Sequence, residues 1–226
     1  MNNILYSPHS SPRPVVIGIT GASGLIYAVR MVKFLLSAGL AVDVVATKAT
    51  AIVWQAEQGV RMPLEPQQQA RFWRQQAGLD PVDNDDRSGE NPAGTLVCHS
   101  WSNVGARIAS GSFRTLGMII IPCSMGTVGK LAAGLSTDLL ERSADVHLKE
   151  GRKLVLVPRE TPFSLIHLRN LTTLAEAGAR IVPAIPAWYH QPQTIEDLVD
   201  FVVARALDQL DLPEDIVPLN RWSGSL

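Results

Sequence analysis

The chain has 226 residues, 46% of them hydrophobic and 18% charged, with a formal net charge of −1, a sequence pI near 6.5 and a mean hydropathy of +0.11. That balance excludes a disordered chain, since there is ample apolar surface to bury, and a general nucleic-acid or anionic-membrane binder, which needs a basic face. The longest nearly apolar stretch, 25–36, is broken by Arg30 and Lys33 and is too short to span a bilayer.

A Ser/Pro-rich leader, 1–14, lacks the apolar core of a secretory signal, and Cys98 and Cys123 allow at most one bridge, so a soluble protein in a reducing cytoplasm is expected. Residues 15–20 are a short apolar run with two valines, which predicts a buried strand, and Gly21-Ala22-Ser23-Gly24 is a tight turn after it. Over 25–38 the polar residues Arg30, Lys33 and Ser37 recur at helical spacing, and Gly39 stops the helix. A second strand over 41–47 and a second helix over 49–58 follow. The pattern then fails from 61 to 97, a segment rich in Gln, Pro, Asp and Asn. It reads as a surface insertion, helical only around 67–76, with an acidic tip. Residues 78–92 hold five acids against Arg87 alone, so the rest of the chain is net positive and the overall neutrality conceals it.

Regularity returns with a strand over 117–121, helices over 127–133 and 137–150, and a fourth strand over 153–157. A helix over 164–177, a fifth strand over 180–183 and a last helix over 194–210 precede the tail, 211–226. Strands alternating with helices of this length require parallel pairing through right-handed crossovers. The expected fold class is α/β, a doubly wound Rossmann-like three-layer sandwich forming one domain over 15–210.

In such sheets ligands bind outside the carboxyl ends of the strands, and those loops are polar here. Gly21–Gly24 offers backbone amides at a helix N-terminus, although such turns also serve close packing alone, and Gly18, Gly21 and Gly24 do not match the dinucleotide spacing. Thr47-Lys48 ends the second strand, where a dinucleotide site would place a carboxylate for the ribose. Cys123-Ser124-Met125-Gly126-Thr127 again opens a helix with small residues and hydroxyls. Three such loops favour a phosphorylated cofactor. Arg159 and Glu160 follow an apolar strand directly and are candidates for chemistry. Arg142 and Lys149 lie two turns apart on one helix face, where pairs Asp138–Arg142 and Asp145–Lys149 at i,i+4 are the alternative reading. Arg205 borders the apolar side of the last helix, facing a partner, a subunit interface or solvent. Histidine and cysteine spacings give no metal motif, and neither a G-x-S-x-G elbow nor a Tyr-x-x-x-Lys pair is present.

Gly-Ile-Thr-Gly-Ala-Ser-Gly24, Thr-Lys-Ala49, Ser-Gly-Ser-Phe113, Pro-Cys-Ser-Met-Gly-Thr127, the run from Glu141 to Glu150, Leu-Val-Leu-Val-Pro-Arg-Glu-Thr-Pro162, Ile-His-Leu-Arg-Asn170 and Pro-Ala-Trp-Tyr-His-Gln-Pro192 together resemble the flavin prenyltransferase (UbiX) family. The resemblance covers nearly the whole chain apart from the leader and 61–97, and the stretch 142–162 is its most specific part. It implies that FMN is bound and alkylated at N5 and C6 by dimethylallyl phosphate, without a metal, to make the prenylated FMN used by UbiD-type decarboxylases. It also implies a homododecamer. By position, the resemblance puts FMN contacts at Gly21, Ala22, Ser23, Thr47, Ser124, Met125, Gly126, Thr127 and Arg159. Contacts to dimethylallyl phosphate fall at Arg142, Lys149, Glu160, Tyr189 and Arg205, some reaching across a subunit boundary, and Glu57 matches an acid near the flavin.

The residue types suit that chemistry. Breaking an allylic C–O bond builds charge on the leaving phosphate, which fixed cations and donors at Arg142, Lys149, Arg205 and Tyr189 would stabilise. Glu160 would pass a proton to that phosphate, and Glu57 with Ser23 would take the proton lost at C6. Trp101 and Trp188 are candidates to steady an allyl cation, or simply core aromatics. A flavin-dependent cysteine decarboxylase and a non-catalytic flavin carrier are the competing readings. The first wants an Asn-rich third loop, and the second has no use for five phosphate-directed side chains.

Overall fold

A computed structural model describes residues 12–79, 94–212 and Ile216. The first eleven residues of the leader, the acidic tip from position 80 and nearly all of the tail lie outside the described residues. Six strands form one parallel sheet: β1 (Val15–Ile19), β2 (Val42–Ala46), β3 (Leu96–His99), β4 (Gly117–Cys123), β5 (Leu154–Pro158) and β6 (Arg180–Ile181), in the order β3-β2-β1-β4-β5-β6. Four of these strands are buried at every residue, as expected where helices cover both faces. The strand order reverses between β1 and β4, which opens a crevice at their carboxyl ends.

The pleat sends alternate residues to two cores. Ile17, Ile19, Val44, Ile119 and Val155 pack against α1 (Ile26–Ser37), α3 (Pro66–Gln76) and α7 (Ile195–Leu207). Val16, Val45, Met118, Ile120 and Leu156 pack against α4 (Met125–Ala132), α5 (Leu139–Lys149) and the buried side of α6 (Leu165–Glu176). Helix ends are capped by their own side chains at Ser124, Asp138, Ser164 and Thr194, the last two in reciprocal capping boxes with His167 and Asp197. Helix α1 has no such cap of its own.

The segment 61–97 departs from the sequence-based reading. It contributes the edge strand β3, paired with β2 from Leu96 to His99, and α3 is a packing element rather than surface decoration. Phe72, Trp73 and Trp54 of α2 (Lys48–Gln58) meet pairwise in three edge-to-face contacts, with ring centroids 5.0 to 5.5 Å apart. Arg74, 6% exposed, donates to the Gly94 carbonyl at 2.5 Å and so ties α3 to the start of β3. The helix is amphipathic but so rich in Gln and Arg that its low mean hydropathy reads as surface, and a four-residue edge strand with one exposed position gives little signal.

Charges inside the sheet are paired. Asp43 in β2 is fully buried, and burial pushes its carboxyl up. The His99 ring, with Nε2 3.5 Å away, and two bonds from Arg107 (2.9 and 2.5 Å) outweigh that and hold it below the ordinary carboxylate range. His147, also fully buried, is pushed down to about 4 by burial, with its Nδ1 at 2.7 Å from the Ser143 carbonyl and its Nε2 at 2.9 Å from Thr115 Oγ1. The unfolded chain therefore takes up a proton below pH 6.5 that the folded chain refuses until about pH 4. Stability falls across that window as pH drops, by up to ~3 kcal/mol from this group. His147→Gln is expected to flatten the difference between urea midpoints at pH 7.5 and 4.5, and an unchanged difference would refute this assignment.

Candidate active site

The crevice is built by fastening three loops together. Thr20 closes β1: its Oγ1 donates to the Pro122 carbonyl at 2.7 Å and accepts from the Ser124 amide at 2.8 Å, so the loops after β1 and β4 move as one. Arg159, directly after β5, donates from its main-chain amide to the Cys123 carbonyl at 3.2 Å and from Nε to the Ser23 carbonyl at 3.0 Å. Among the described residues the terminal guanidinium nitrogens of Arg159 engage no protein acceptor. Neither Thr20 nor this fastening role of Arg159 was readable from the chain, because their partners lie 102 and 136 residues away.

Gly21 is required by contact rather than by backbone angle, since a Cβ there would lie 2.5 Å from the Cβ of Ala49 in α2. Close approach of α2 puts Glu57 beside the turn. Its Oε1 accepts from the Gly24 amide at 2.7 Å and its Oε2 from the Leu25 amide at 3.1 Å, so this distant carboxylate supplies the cap that α1 lacks. The amides of Gly21, Ala22 and Ser23 have no protein acceptor among the described residues. Thr47 Oγ1 sits 3.1 Å from Thr50 Oγ1, whose hydroxyl donates to the Ile19 carbonyl at 2.8 Å.

At the start of α4, Ser124 Oγ accepts from the Thr127 amide at 3.2 Å and lies 3.0 Å from Thr127 Oγ1. A Cβ on Gly126 would find nothing nearer than Ser124 Oγ at 3.9 Å, so the space over this helix end is open. Met125 is buried in the core, which leaves only its main chain to the site. Glu160 follows Arg159. Its Oε1 accepts from the Thr161 amide at 3.0 Å, and it borders a cleft of about 260 Å³ walled by Pro162, Phe163, Pro183, Ala184 and Ile185. Burial drives the thiols of Cys98 and Cys123 far above their usual range, so neither is a nucleophile. Among the described residues no cluster of His, Cys, Asp and Glu could hold a metal, and no helix is long and apolar enough to cross a membrane.

The remaining candidates are not gathered at this crevice within one chain. Helices α5 and α7 run back from the carboxyl edge, so Arg142 lies in the first half of α5 and Lys149 at its far end, ~10 Å further along the axis. The i,i+4 pairs do not form. Asp138 caps α5, Arg142 pairs with Asp145 at 3.0 Å, and Lys149 pairs with Glu150 at 2.6 Å. Arg205 pairs with Asp208 at 3.0 Å and shares a cleft with Arg180 and Gln209 at the start of β6. Tyr189 is exposed beside the Phe201 ring, 5.8 Å between centroids. Trp101 and Trp188 are both exposed, so neither is a core aromatic.

A family model described as Flavoprotein matches residues 4–207. The chain is 62% identical over 214 residues to the flavin prenyltransferase UbiX of Synechocystis sp., covering 95% of this chain and 98% of that one. The chain belongs to the flavin prenyltransferase family. It is therefore a flavoprotein and a transferase acting with FMN. A crystal structure of AnUbiX (PadA1) in complex with FMN and dimethylallyl pyrophosphate superimposes with a TM-score of 0.76 at 35% identity, covering 95% of this chain and all of that one. A dodecameric FMN-dependent UbiX-like decarboxylase from Escherichia coli O157:H7 gives 0.74 at 37% identity, covering 93% and 100%. The parallel Rossmann-like sheet expected from the sequence is the sheet found here, with β3 as an edge strand the sequence did not show.

Proposed function

We propose that this flavin prenyltransferase transfers the dimethylallyl group of dimethylallyl phosphate to N5 and C6 of reduced FMN, releasing phosphate and delivering prenylated FMN to a UbiD-type decarboxylase. The observation that carries the reading is the fastening of the Gly21–Gly24 turn, the Ser124–Thr127 helix start and Arg159–Glu160 into one crevice. The donor set fits FMN: free amides at Gly21 to Ser23, hydroxyls at Thr47, Ser124 and Thr127, one guanidinium, and open space over Gly126. Bound FMN supplies the nucleophilic ring positions. The amides and Arg159 hold its phosphate and polar edge.

Glu160 keeps Oε1 on the Thr161 amide, which leaves Oε2 to give a proton to the oxygen of the departing phosphate. Glu57 holds two amides and retains further lone pairs, so it can take the proton released at C6 through the Ser23 hydroxyl. Arg142, Lys149, Tyr189 and Arg205 bind the donor phosphate and stabilise the charge it gains. Because Lys149 and Arg205 sit at the amino edge of their own sheet, a second copy of the chain brings them to the crevice, in an assembly we take to be a homododecamer. Trp101 and Trp188, exposed in one chain, are the candidates to steady the allyl cation once copies assemble. The protein works in the cytoplasm on this reading.

Mixing the protein, reduced FMN and dimethylallyl phosphate without oxygen is expected to give a flavin whose mass is raised by one C5 unit, seen by mass spectrometry. Bound FMN with no such adduct would overturn the proposal.

A further inference from the structure

We propose that Glu150, Gly111 and Arg152 form a positioning assembly for the Lys149 ammonium and thereby set the affinity for the prenyl donor. The inference rests on the reading above that Lys149 contacts the donor phosphate.

Residues i and i+1 at a helix end do not normally face each other. Here Lys149 Nζ nevertheless donates to Glu150 Oε1 at 2.6 Å, and both head groups lie against Gly111 in the loop 110–113. A Cβ built on Gly111 would overlap Glu150 Oε1 and lie 3.2 Å from Lys149 Nζ, so a side chain there would displace the pair from this arrangement. Arg152 holds the loop in place. Its guanidinium, 13% exposed, donates to the Phe113 carbonyl at 2.7 Å and to the Gly111 carbonyl, and it lies 4.0 Å from Glu150 Oε2. The Ser110 and Ser112 hydroxyls, 2.8 Å apart, close the loop on itself.

An ordinary surface ion pair contributes little, and it requires no glycine opposite it. This pair instead fixes a four-carbon side chain that would otherwise sweep freely. An ammonium has three donors, and Glu150 engages one, which leaves two for a phosphate. The local charge still favours an anion, because Lys149, Arg152 and the nearby Arg114 outnumber the single carboxylate. Glu150 thus orients Lys149 without cancelling the attraction.

The test is steady-state kinetics of adduct formation with dimethylallyl phosphate, together with FMN retention and Tm. Glu150→Gln is expected to raise the donor KM roughly tenfold, with a smaller change in kcat and no change in FMN retention or Tm. Gly111→Ala is expected to do the same, and the double variant Gly111→Ala/Glu150→Gln to be no worse than either alone, because both remove one assembly. Glu150→Asp, which keeps the charge, should recover part of the loss. An unchanged donor KM in Glu150→Gln, or additive losses in the double variant, would overturn the assembly. Lys149→Ala separates the two levels: an unchanged donor KM there refutes the contact of Lys149 with the phosphate, whereas a raised one beside a normal Glu150→Gln refutes only the positioning.

Discussion

Glu160→Gln is expected to keep FMN bound and to slow prenylated-flavin formation by ~10²- to 10⁴-fold, the range in which a positioned general acid contributes. The substitution preserves size, and the new amide oxygen still accepts from the Thr161 amide as Oε1 does now at 3.0 Å. The loop after β5 and the main-chain tie from Arg159 to Cys123 therefore stay in place. What is lost is a transferable proton at the second oxygen, beside the cleft that Phe163, Pro183 and Ile185 wall. Single-turnover adduct formation followed by mass spectrometry reads the effect, with flavin absorbance reporting retention. A variant that forms adduct at the parent rate would remove Glu160 from the role of acid.

Trp73→Ala is expected to cost ~3–5 kcal/mol of folding stability, since it removes a large aromatic from a filled core. Trp73 is fully buried and meets Trp54 at 5.5 Å and Phe72 at 5.3 Å between ring centroids. The consequence reaches the site, because Trp54 belongs to α2, and α2 also carries Ala49 against Gly21, Thr50 against the Ile19 carbonyl and Glu57 against the first amides of α1. Loosening α2 is therefore expected to lower FMN retention as well as the urea midpoint. A midpoint shift with full FMN occupancy would show that α3 supports the fold without supporting the crevice.

Both expectations concern residues whose importance was unequally visible in the chain. Glu160 sits next to an apolar strand, so its place at the carboxyl edge follows from topology alone. Trp73 lies in a Gln- and Arg-rich stretch that reads as surface because its mean hydropathy is low, although Ala70, Phe72 and Trp73 belong to one buried face. Strand β3 was hidden for a related reason: it is short, at a sheet edge, and open to solvent at Val97.

The alternation of apolar runs and helical periods was enough to determine five of the six strands, their parallel pairing and the polar loops where a phosphorylated ligand belongs, since hydrophobic period and turn chemistry are local properties. The motifs likewise carried the family. Contacts between distant segments were decided by the tertiary structure alone. Glu57 capping a helix 32 residues before it, Arg159 reaching back 136 residues to Ser23, and Gly111 making room for the Lys149–Glu150 pair all depend on where the sheet order places three loops. The same applies to the placement of Lys149 and Arg205 away from the crevice of their own chain. A helix that crosses from one strand to the next must run back along the sheet, so the end of α5 that carries Lys149 lies at the amino edge.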